Sequence, residues 1–231
     1  MDLLAAIDTP LGDKLVFQRM TGTEALSQPF EYRVELLSED SDIDFNEMLG
    51  QSVTVKLQLP DDVRRFNGRV ARFGLTGRQG RFYTYQATVR PWLWFLTRTQ
   101  DCRIFQGKTV VEIIKEVFHD HSIASFEERL TGSYTPWEYC VQYRETDFNF
   151  VSRLLEQEGI YYFFKHEDDR HTLVLCDAPG AHDPCEGGYD KISYRATSIE
   201  GGGGESIRSW FVSDEAQPGA VEITDYDSER P

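Results

Sequence analysis

Residues 137–164 read WEYCVQYRETDFNFVSRLLEQEGIYYFF, and this stretch decides the fold because it joins a capped helix to an aromatic strand. Thr146 is a preferred N-cap residue, and Gly159 tolerates the left-handed backbone with which many helices end. Apolar residues between them recur at the spacing of one helical face: Phe148, Val151 and Leu155. The five residues after Gly159 are β-branched or aromatic. The stretch therefore predicts a helix that stops at Gly159 and leads directly into a strand.

A second helix is predicted upstream, where Thr109 and Glu112 have the spacing of a capping box. The apolar residues behind this box form one stripe: Val110, Ile113, Ile114, Val117 and Phe118. Most of the remaining chain alternates with the two-residue period of half-buried strands. The inward sets are Tyr32, Val34 and Leu36; Val53, Val55, Leu57 and Leu59; and Tyr83, Tyr85, Ala87 and Val89. Polar residues such as Thr54 occupy the alternate positions and are expected to face water.

Glycines divide these strands. Gly77 and Gly80 are expected to separate a strand over 68–75 from one over 81–89, and the N-terminal strands predict a compact β-barrel or sandwich through about Arg98. Three more strands are expected, at 172–176, 191–197 and 221–224. The sequence therefore predicts an α+β chain that is mostly antiparallel β.

The 231 residues carry a net charge of −15, which argues against DNA and RNA as general partners. The charge is unevenly distributed along the chain. Residues 64–103 contain nine arginines and one acid, whereas residues 166–231 contain five basic and fifteen acidic residues. We expect the arginines to meet the acidic C-terminal third, either within the chain or between subunits.

Aromatic residues interleave with these arginines, as they do in proteins that bind single-stranded nucleic acid. They are Phe66, Phe73, Phe82, Tyr83, Tyr85, Trp92, Trp94 and Phe95. Tyr85 shares a strand face with apolar neighbours, which favours rings that face a core and arginines that face water. We therefore expect no nucleic-acid partner, and nucleic-acid binding stays a lesser hypothesis.

No segment approaches the ~20 apolar residues of a membrane-spanning helix. Asp2 and Asp8 stand where a signal peptide would carry basic residues. We therefore expect no stable membrane anchor and no ordinary secretory export. The four cysteines lack C-x-x-C spacing and are expected to be reduced thiols.

Two histidine patterns invite a metal-site interpretation, and both are weak. His119 and His121 flank an aspartate at a predicted helix end, where their side chains should diverge. A second group offers three soft ligands where a structural zinc site needs four: Cys176, His182 and Cys185. We assign no metal-binding residue and expect no cofactor.

Two further patterns fail as catalytic or nucleotide motifs. The four glycines at 201–204 lack the Lys-Ser or Lys-Thr pair of a phosphate loop. Glu156 and Glu158 diverge on a predicted helix, whereas a glycosidase needs two carboxyls that face each other. We assign no catalytic residue and predict that the protein is not an enzyme. A hydrolase whose site is assembled in space is an alternative.

The stretch from residue 137 resembles the hub region of VgrG, the family of spike proteins of bacterial type VI secretion systems. Similar matches follow in order along the chain: LSQPFEYRVELLSED from Leu26, LGQSVTV from Leu49, FNGRVARF from Phe66, RPWLWFLTRTQDCRIFQGKTVVEIIKEVF from Arg90 and ITDYDSERP from Ile223. The ordered series is specific, although none of its members is a catalytic motif.

The resemblance implies phage tail-hub-like β-barrel domains with a helix-containing segment between them. We divide the chain into a first hub β-barrel domain, an α+β segment with the two helices, and the start of a second, truncated β-rich hub domain. These parts are residues 1–98, 99–165 and 166–231.

The resemblance also implies a function, that of a structural hub in a trimeric cell-puncturing spike. Such a hub joins the tube of a contractile apparatus to a needle and helps to deliver effectors. The implied partners are two further copies, held also by a needle outside this sequence, an Hcp-type hexameric tube protein, baseplate proteins and effectors. The protein would assemble in the bacterial cytoplasm and leave through the type VI apparatus without a signal peptide. A contractile phage tail hub is the alternative with the same task.

Overall fold

The computed structural model describes residues 4–59, 62–184, 191–194, 206–207, 209–216, 218–220 and 222. The chain divides into two units, residues 1–183 and 184–231. In the smaller unit, Tyr194 and Ile207 form a parallel β-bridge. The prediction of a strand at 191–197 is therefore wrong over residues 191–194, which hold only this bridge. Residues 195–197 lie outside the described residues. The four glycines at 201–204 and, apart from Glu222, the strand predicted at 221–224 also lie outside the described residues.

A six-stranded antiparallel sheet forms the first part of the larger unit. Its strands are β1 (Ala5–Asp8), β2 (Val16–Ala25), β3 (Gln28–Ser38), β4 (Ser52–Gln58), β5 (Val63–Gln79) and β6 (Phe82–Arg90). They lie in the order β1-β4-β5-β6-β3-β2, and the sheet curls so that its edge strands β1 and β2 contact each other. Most of the predicted inward residues are buried, namely Tyr32, Val34, Leu36, Val53, Val55, Tyr85, Ala87 and Val89. Leu57, Leu59 and Tyr83 are half-buried.

Two predictions about this sheet are wrong. Gly77 does not end a strand, because β5 continues through it with a register irregularity and the chain turns at Gly80 instead. Thr54 does not face water and is only 2% exposed. Its hydroxyl donates to the carbonyl oxygen of Asp168 at 2.7 Å, so a distant part of the chain covers this position.

The second part of the larger unit contains helices and shorter strands. The helices are α1 (Trp92–Phe95), α2 (Val110–His119) and α3 (Asp147–Glu158). The strands are β7 (Gln100–Phe105), β8 (Phe126–Arg129), β9 (Cys140–Thr146), β10 (Tyr161–His166) and β11 (His171–Cys176). Strands β7 and β9 form an antiparallel ribbon, and β10, β11 and β8 form a small sheet in which β11 and β8 are parallel. The predicted α+β, mostly antiparallel fold class is confirmed.

The two predicted helices have the expected ends. Thr109 and Glu112 form the complete capping box of α2, and the five apolar residues of its predicted stripe are all 0% exposed. Thr146 caps α3, and Gly159 follows it with a φ angle of 69°. The predicted face of α3 is partly wrong, because Phe150 and Leu154 are fully buried while Phe148 is only half-buried.

The helices and strands enclose two apolar cores within the larger unit. One core fills the curled sheet, and the other lies between α1, α2, α3 and the strands of the second part. Phe164 on β10 packs against both cores. The predicted boundary between residues 165 and 166 falls inside β10. The division into three domains stays a prediction.

Gly68 on β5 is required by the close approach of β6. A Cβ atom there would lie 2.5 Å from Val89 Cγ1 and 3.1 Å from the carbonyl oxygen of Arg90. We expect Gly68→Ala to lower the free energy of unfolding by about 1–3 kcal/mol, the usual cost of overpacking. Gly74→Ala is the matched control on the same strand, because nothing lies within 4 Å of the added atom. Urea denaturation of both variants measures the difference, and equal midpoints would contradict the prediction.

Candidate interaction surface

A buried hydrogen-bond cluster fastens the β10–β11 hairpin to the six-stranded sheet. Asn67, which is 0% exposed, donates through Nδ2 to Thr54 Oγ1 at 2.8 Å and to Ser52 Oγ at 3.0 Å. His171 Nδ1 donates to Asn67 Oδ1 at 2.8 Å, and the backbone N–H of Trp92 donates to His171 Nε2 at 2.7 Å. Both ring nitrogens of His171 are thus used in the neutral state. Burial lowers the pKa of His171 to about 3.

The other residues of the hairpin turn add polar contacts to the same sheet. The backbone N–H of Asn67 donates to His166 Nδ1 at 3.0 Å, and His166 Nε2 lies 3.5 Å from the carboxylate of Glu24. Asp168 accepts from Arg65 at 2.9 Å and lies 3.2 Å from the ammonium group of Lys56. The hairpin is therefore held at both arms and at its turn.

The arginine-rich segment was expected to meet the acidic C-terminal third. Among the ion pairs within the described ranges, only Arg65 with Asp168 fits this expectation. Arg81 pairs with Glu39 just after β3, Arg90 pairs with Glu31 on β3, and Arg103 pairs with three aspartates of the second part. Within the chain, three of the nine arginines thus pair with nearer acids instead, whereas contacts between subunits and with C-terminal residues outside the described ranges stay a prediction.

A second buried polar cluster surrounds Asp147 at the first turn of α3. Arg103 Nη2 donates to Asp147 Oδ1 at 2.6 Å, and Gln142 Nε2 donates to the same oxygen at 2.8 Å. Thr99 donates to Asp147 Oδ2 at 2.7 Å, and His121 Nε2 lies 3.2 Å from it. Burial would raise the pKa of Asp147, but these hydrogen bonds and the Arg103 charge outweigh it and lower that pKa. The cluster ties β7, β9 and α3 together.

A third carboxylate, Asp177, holds the loop that follows β8. It accepts hydrogen bonds from the backbone N–H groups of Thr131 and Gly132 and from the hydroxyl of Tyr134, at 2.6–2.9 Å. Burial opposes ionisation, but these bonds lower the pKa of Asp177 to about 2. His171 and Asp177 thus have strongly shifted pKa values, and partners within the fold account for the hydrogen bonds of both.

The histidines and cysteines singled out in the sequence do not converge where the structure describes them. His119 lies against the ring of Phe126, whereas His121 contacts Asp147, so their side chains diverge as predicted. Cys102, Cys140 and Cys176 are free thiols, while Cys185 lies outside the described residues. Within the described part of the chain, no three metal-ligating side chains form a group. No described helix has the length and apolarity needed to cross a membrane.

The exposed side of the six-stranded sheet carries a shallow groove of about 530 Å³, which we call the basic groove. Its lining residues are Glu31, Arg33, Ala71, Arg72, Gln86, Thr88, Arg90, Trp94 and Arg98. Arg72 on β5 and Arg33 on β3 are both register partners of Thr88 on β6, so they form one row across three strands. The groove therefore presents four guanidinium groups and one carboxylate on a rigid support.

The charges of the basic groove are only partly neutralised. Glu31 pairs with Arg33 at 3.0 Å and also with Arg90. Arg90 and Arg98 place their guanidinium carbons 5.0 and 4.4 Å from the Trp94 ring centroid. Arg72 and Arg98 take part in no ion pair among the described side chains. Both therefore remain available to the carboxylates of a partner, with which guanidinium groups form paired hydrogen bonds.

Comparison with known proteins gives consistent matches along the chain. The profile of the phage tail baseplate hub (GPD) family matches residues 23–231. The type VI secretion system spike protein VgrG1a of Pseudomonas aeruginosa is 48% identical over 230 residues, which are 99% of this chain. This chain spans 36% of the length of that relative.

Solved structures show the same relationship at the level of the fold. The E. coli c3393 protein, described as a type VI secretion component similar to the T4 phage tail proteins gp27 and gp5, has a TM-score of 0.65 at 25% identity. That match covers 78% of this chain and 49% of c3393. A chain of the Francisella PdpA–VgrG complex has a TM-score of 0.57 at 10% identity, covering 84% of this chain and 34% of that one.

Proposed function

The chain belongs to the phage tail baseplate hub family, and on that premise we propose that it is the hub part of a trimeric type VI secretion spike. The observation that carries this proposal is the 48% identity to a spike protein along 99% of the chain. The hub joins the tube of the contractile apparatus to a needle. Its task is mechanical, and none of its residues is catalytic.

The buried polar clusters favour a part that transmits force. A hub under axial load must not let its sheet slide against its helices. The cluster around Asn67 and His171 links β4 and β5 to the β10–β11 hairpin and to the first residue of α1. Hydrogen bonds between fully buried groups are directional and costly to leave unmade, so they fix one arrangement of these elements.

The proposed partners follow from symmetry. A trimer of single domains cannot repeat one contact on all six subunits of an Hcp-type hexameric tube, whereas two similar barrel domains in each chain present six near-equivalent surfaces. We assign the first barrel domain to residues 1–98 and the start of the second to residues 166–231. We propose that a needle completes the trimer and that baseplate proteins complete the assembly.

Delivery and location complete the proposal. A VgrG protein of Francisella forms a complex with PdpA, and we propose that this spike also binds a further protein, an effector that it delivers. It assembles in the bacterial cytoplasm and leaves the cell through the type VI apparatus. The family profile favours one second candidate, the hub of a contractile phage tail, which would do the same work on a different apparatus.

A graft experiment tests the proposed function. The chain would replace the matching segment of VgrG1a in a Pseudomonas aeruginosa strain that lacks its own VgrG1a. We expect the chimeric spike to appear in the medium in a manner that requires sheath contraction, at a level within about tenfold of the parent spike, since half of the residues differ. The same chimera in a strain without the sheath is the control. A chimera that folds and forms trimers but stays inside contracting cells would overturn the proposal.

A further inference from the structure

The β10–β11 hairpin belongs to the second part of the larger unit, yet it also lies against the six-stranded sheet. Tyr162, Leu173 and Leu175 place it in the core that contains the helices. Its contact with the sheet has a different composition. Among the described residues of the hairpin, Phe164 alone packs against the sheet core. The backbone N–H of Ser27 donates to the carbonyl oxygen of Tyr162 at 2.9 Å, so polar groups supply much of this contact.

The turn of the hairpin adds exposed polar contacts to the sheet. Ser52 Oγ donates to the carbonyl oxygen of Asp169 at 3.1 Å. Asp168 pairs with Arg65 and Lys56, but its side chain is 60% exposed, so these pairs add little. Hydrogen bonds from Arg65 and Lys56 hold the pKa of Asp168 below its usual range, so this charge does not change in mild acid. Contacts that bury few apolar groups open more easily than a core does.

One side chain of this contact cannot accept a proton without breaking it. In the closed contact His171 Nδ1 donates to Asn67, and Nε2 accepts from the backbone N–H of Trp92. A proton on Nε2 turns this acceptor into a donor, so two N–H groups would face each other. Separation of the hairpin from the sheet frees the ring from Asn67, and the ring can then turn away from Trp92 and reach water.

The groups around His171 offer it no compensating negative charge within the described residues. The rings of Phe30 on β3 and Phe164 on β10 lie 5.5 and 5.9 Å from its ring. Besides burial, the charges of His166 on β10 and Arg69 on β5 lower the pKa of His171. Helix α1 carries no titratable side chain. Protonated His171 therefore meets apolar rings and positive charge while the contact is closed.

His166 differs from His171, although it lies in the same hairpin. Its Nε2 is 3.5 Å from the carboxylate of Glu24 and 3.3 Å from the hydroxyl of Tyr32. Its Nδ1 lies 3.0 Å from both the N–H and the carbonyl oxygen of Asn67. His166 thus has hydrogen-bond partners in both protonation states, which leaves His171 as the acid-sensitive member of the contact.

We propose that the β10–β11 hairpin is an acid-released clasp, which separates from the six-stranded sheet in mild acid while both apolar cores stay folded. Protonation of His171 is the trigger. The larger unit is then a single rigid body at neutral pH, and in acid it becomes two folded parts joined by the chain between β6 and α1. The clasp goes beyond the proposed function and does not depend on it.

Hydrogen exchange in the unmodified 231-residue chain, measured residue by residue by NMR, tests the clasp. The amide of Asn67 bonds across the contact, whereas the amides of Val70 and Ile113 bond within the sheet part and within α2. After correction for intrinsic exchange rates, we expect the protection of Asn67 to fall about thirtyfold between pH 7.5 and pH 5, since only the open form binds the proton. Val70 and Ile113 should stay at least about tenfold better protected than Asn67 at pH 5.

Histidine variants test the trigger. His171→Gln should abolish most of the pH dependence of Asn67 protection, because glutamine does not titrate. His119→Gln is the matched control, since His119 is exposed and lies on α2, outside the contact. This variant should show the same thirtyfold change as the parent chain, within about twofold.

Cysteine probes on β4 provide a second measurement. Thr54 lies under the hairpin turn and Val55 lies in the sheet core, and they are 2% and 3% exposed. The native Cys102 is exposed and serves as the internal reference for reaction with dithiodipyridine. At pH 5 we expect the thiol of Thr54→Cys to react at least about tenfold faster than that of Val55→Cys, because only the first is uncovered when the clasp opens.

Three results would overturn the clasp. If Asn67, Val70 and Ile113 lost protection together, the hairpin would leave the sheet only when the whole chain unfolds. Constant protection of Asn67 between pH 7.5 and pH 5 would show that acid does not open the contact. An unchanged pH dependence in His171→Gln would exclude His171 as the trigger. None of these results bears on whether the grafted spike is secreted, so the proposed function is tested separately.

Discussion

Replacement of Asp147 by alanine is expected to lower the free energy of unfolding by about 1–3 kcal/mol, the cost of leaving buried hydrogen-bond donors without their acceptor. Asp147 is 5% exposed, and the side chain of Arg103, its ionic partner, is 19% exposed. The change also leaves donors on Thr99 and Gln142 without their acceptor. It removes a carboxylate from the first turn of α3, where a negative charge is favourable.

Asp120 provides the matched control for Asp147. Its carboxylate pairs with the same Arg103 at the same 2.6 Å separation, but its side chain is 60% exposed. Exposed pairs contribute roughly 0–1 kcal/mol, so Asp120→Ala should be nearly neutral. Chemical denaturation of both variants at pH 7 measures the two effects. Equal losses of unfolding free energy in the two variants would contradict the prediction that burial determines the contribution of Asp147 to stability.

The second large effect is a loss of stability in mild acid that depends on His171. Burial lowers the pKa of His171 to about 3, whereas the unfolded chain has the ordinary histidine value near 6.5. Between these two values the unfolded state binds a proton that the folded state does not bind. Stability from His171 is therefore complete above about pH 6.5 and is lost at about 1.4 kcal/mol per pH unit as the pH falls towards 3. At pH 5 the expected loss is about 2 kcal/mol.

The pH dependence of the stability of the His171→Gln variant, compared with that of the parent chain, separates the effect of His171 from the effects of other acid-sensitive groups. The variant starts less stable, because glutamine cannot match both the bond to Asn67 Oδ1 and the bond from the Trp92 N–H. Its stability should change less than that of the parent between pH 6.5 and pH 4.5. Asp147 and Asp177 have lowered pKa values, so their contributions are lost only below this range. Parallel pH curves for parent and variant would contradict the assignment to His171.

Local features of the chain could be predicted from the sequence, because they depend on neighbouring residues. Thr109 and Glu112 cap α2 through bonds that span three residues, and Gly159 ends α3 with its own backbone angle. The face of α3 was harder to predict. Its buried residues are Asp147, Phe150, Val151, Leu154 and Leu155, so the stripe begins at an acid that looks like a surface residue in the sequence.

Long-range features could not be predicted in the same way. The alternation of apolar and polar residues along β4 predicts that Thr54 faces water. In the structure Asp168, 114 residues later, covers it. The sequence places Arg103 in a segment rich in arginines, which indicates a basic surface, although Asp147 holds it mostly buried. Neither partner is marked by a motif, because an isolated aspartate or carbonyl oxygen gives no pattern that repeats. The basic groove likewise requires the pairing of β3, β5 and β6, which brings Arg33 and Arg72 into one row.

The junction between Asn67 and His171 also sets the order in which the chain can fold during synthesis. The two residues are 104 positions apart, and the six-stranded sheet is complete in sequence at Arg90. At about 5–20 residues per second, the ribosome needs roughly 5–20 s after Asn67 to add the hairpin that covers it. During that interval Asn67 and Thr54 lack their later partners. This face of the nascent sheet is therefore uncovered at first, and it becomes protected only after His171 leaves the exit tunnel and the hairpin packs on it.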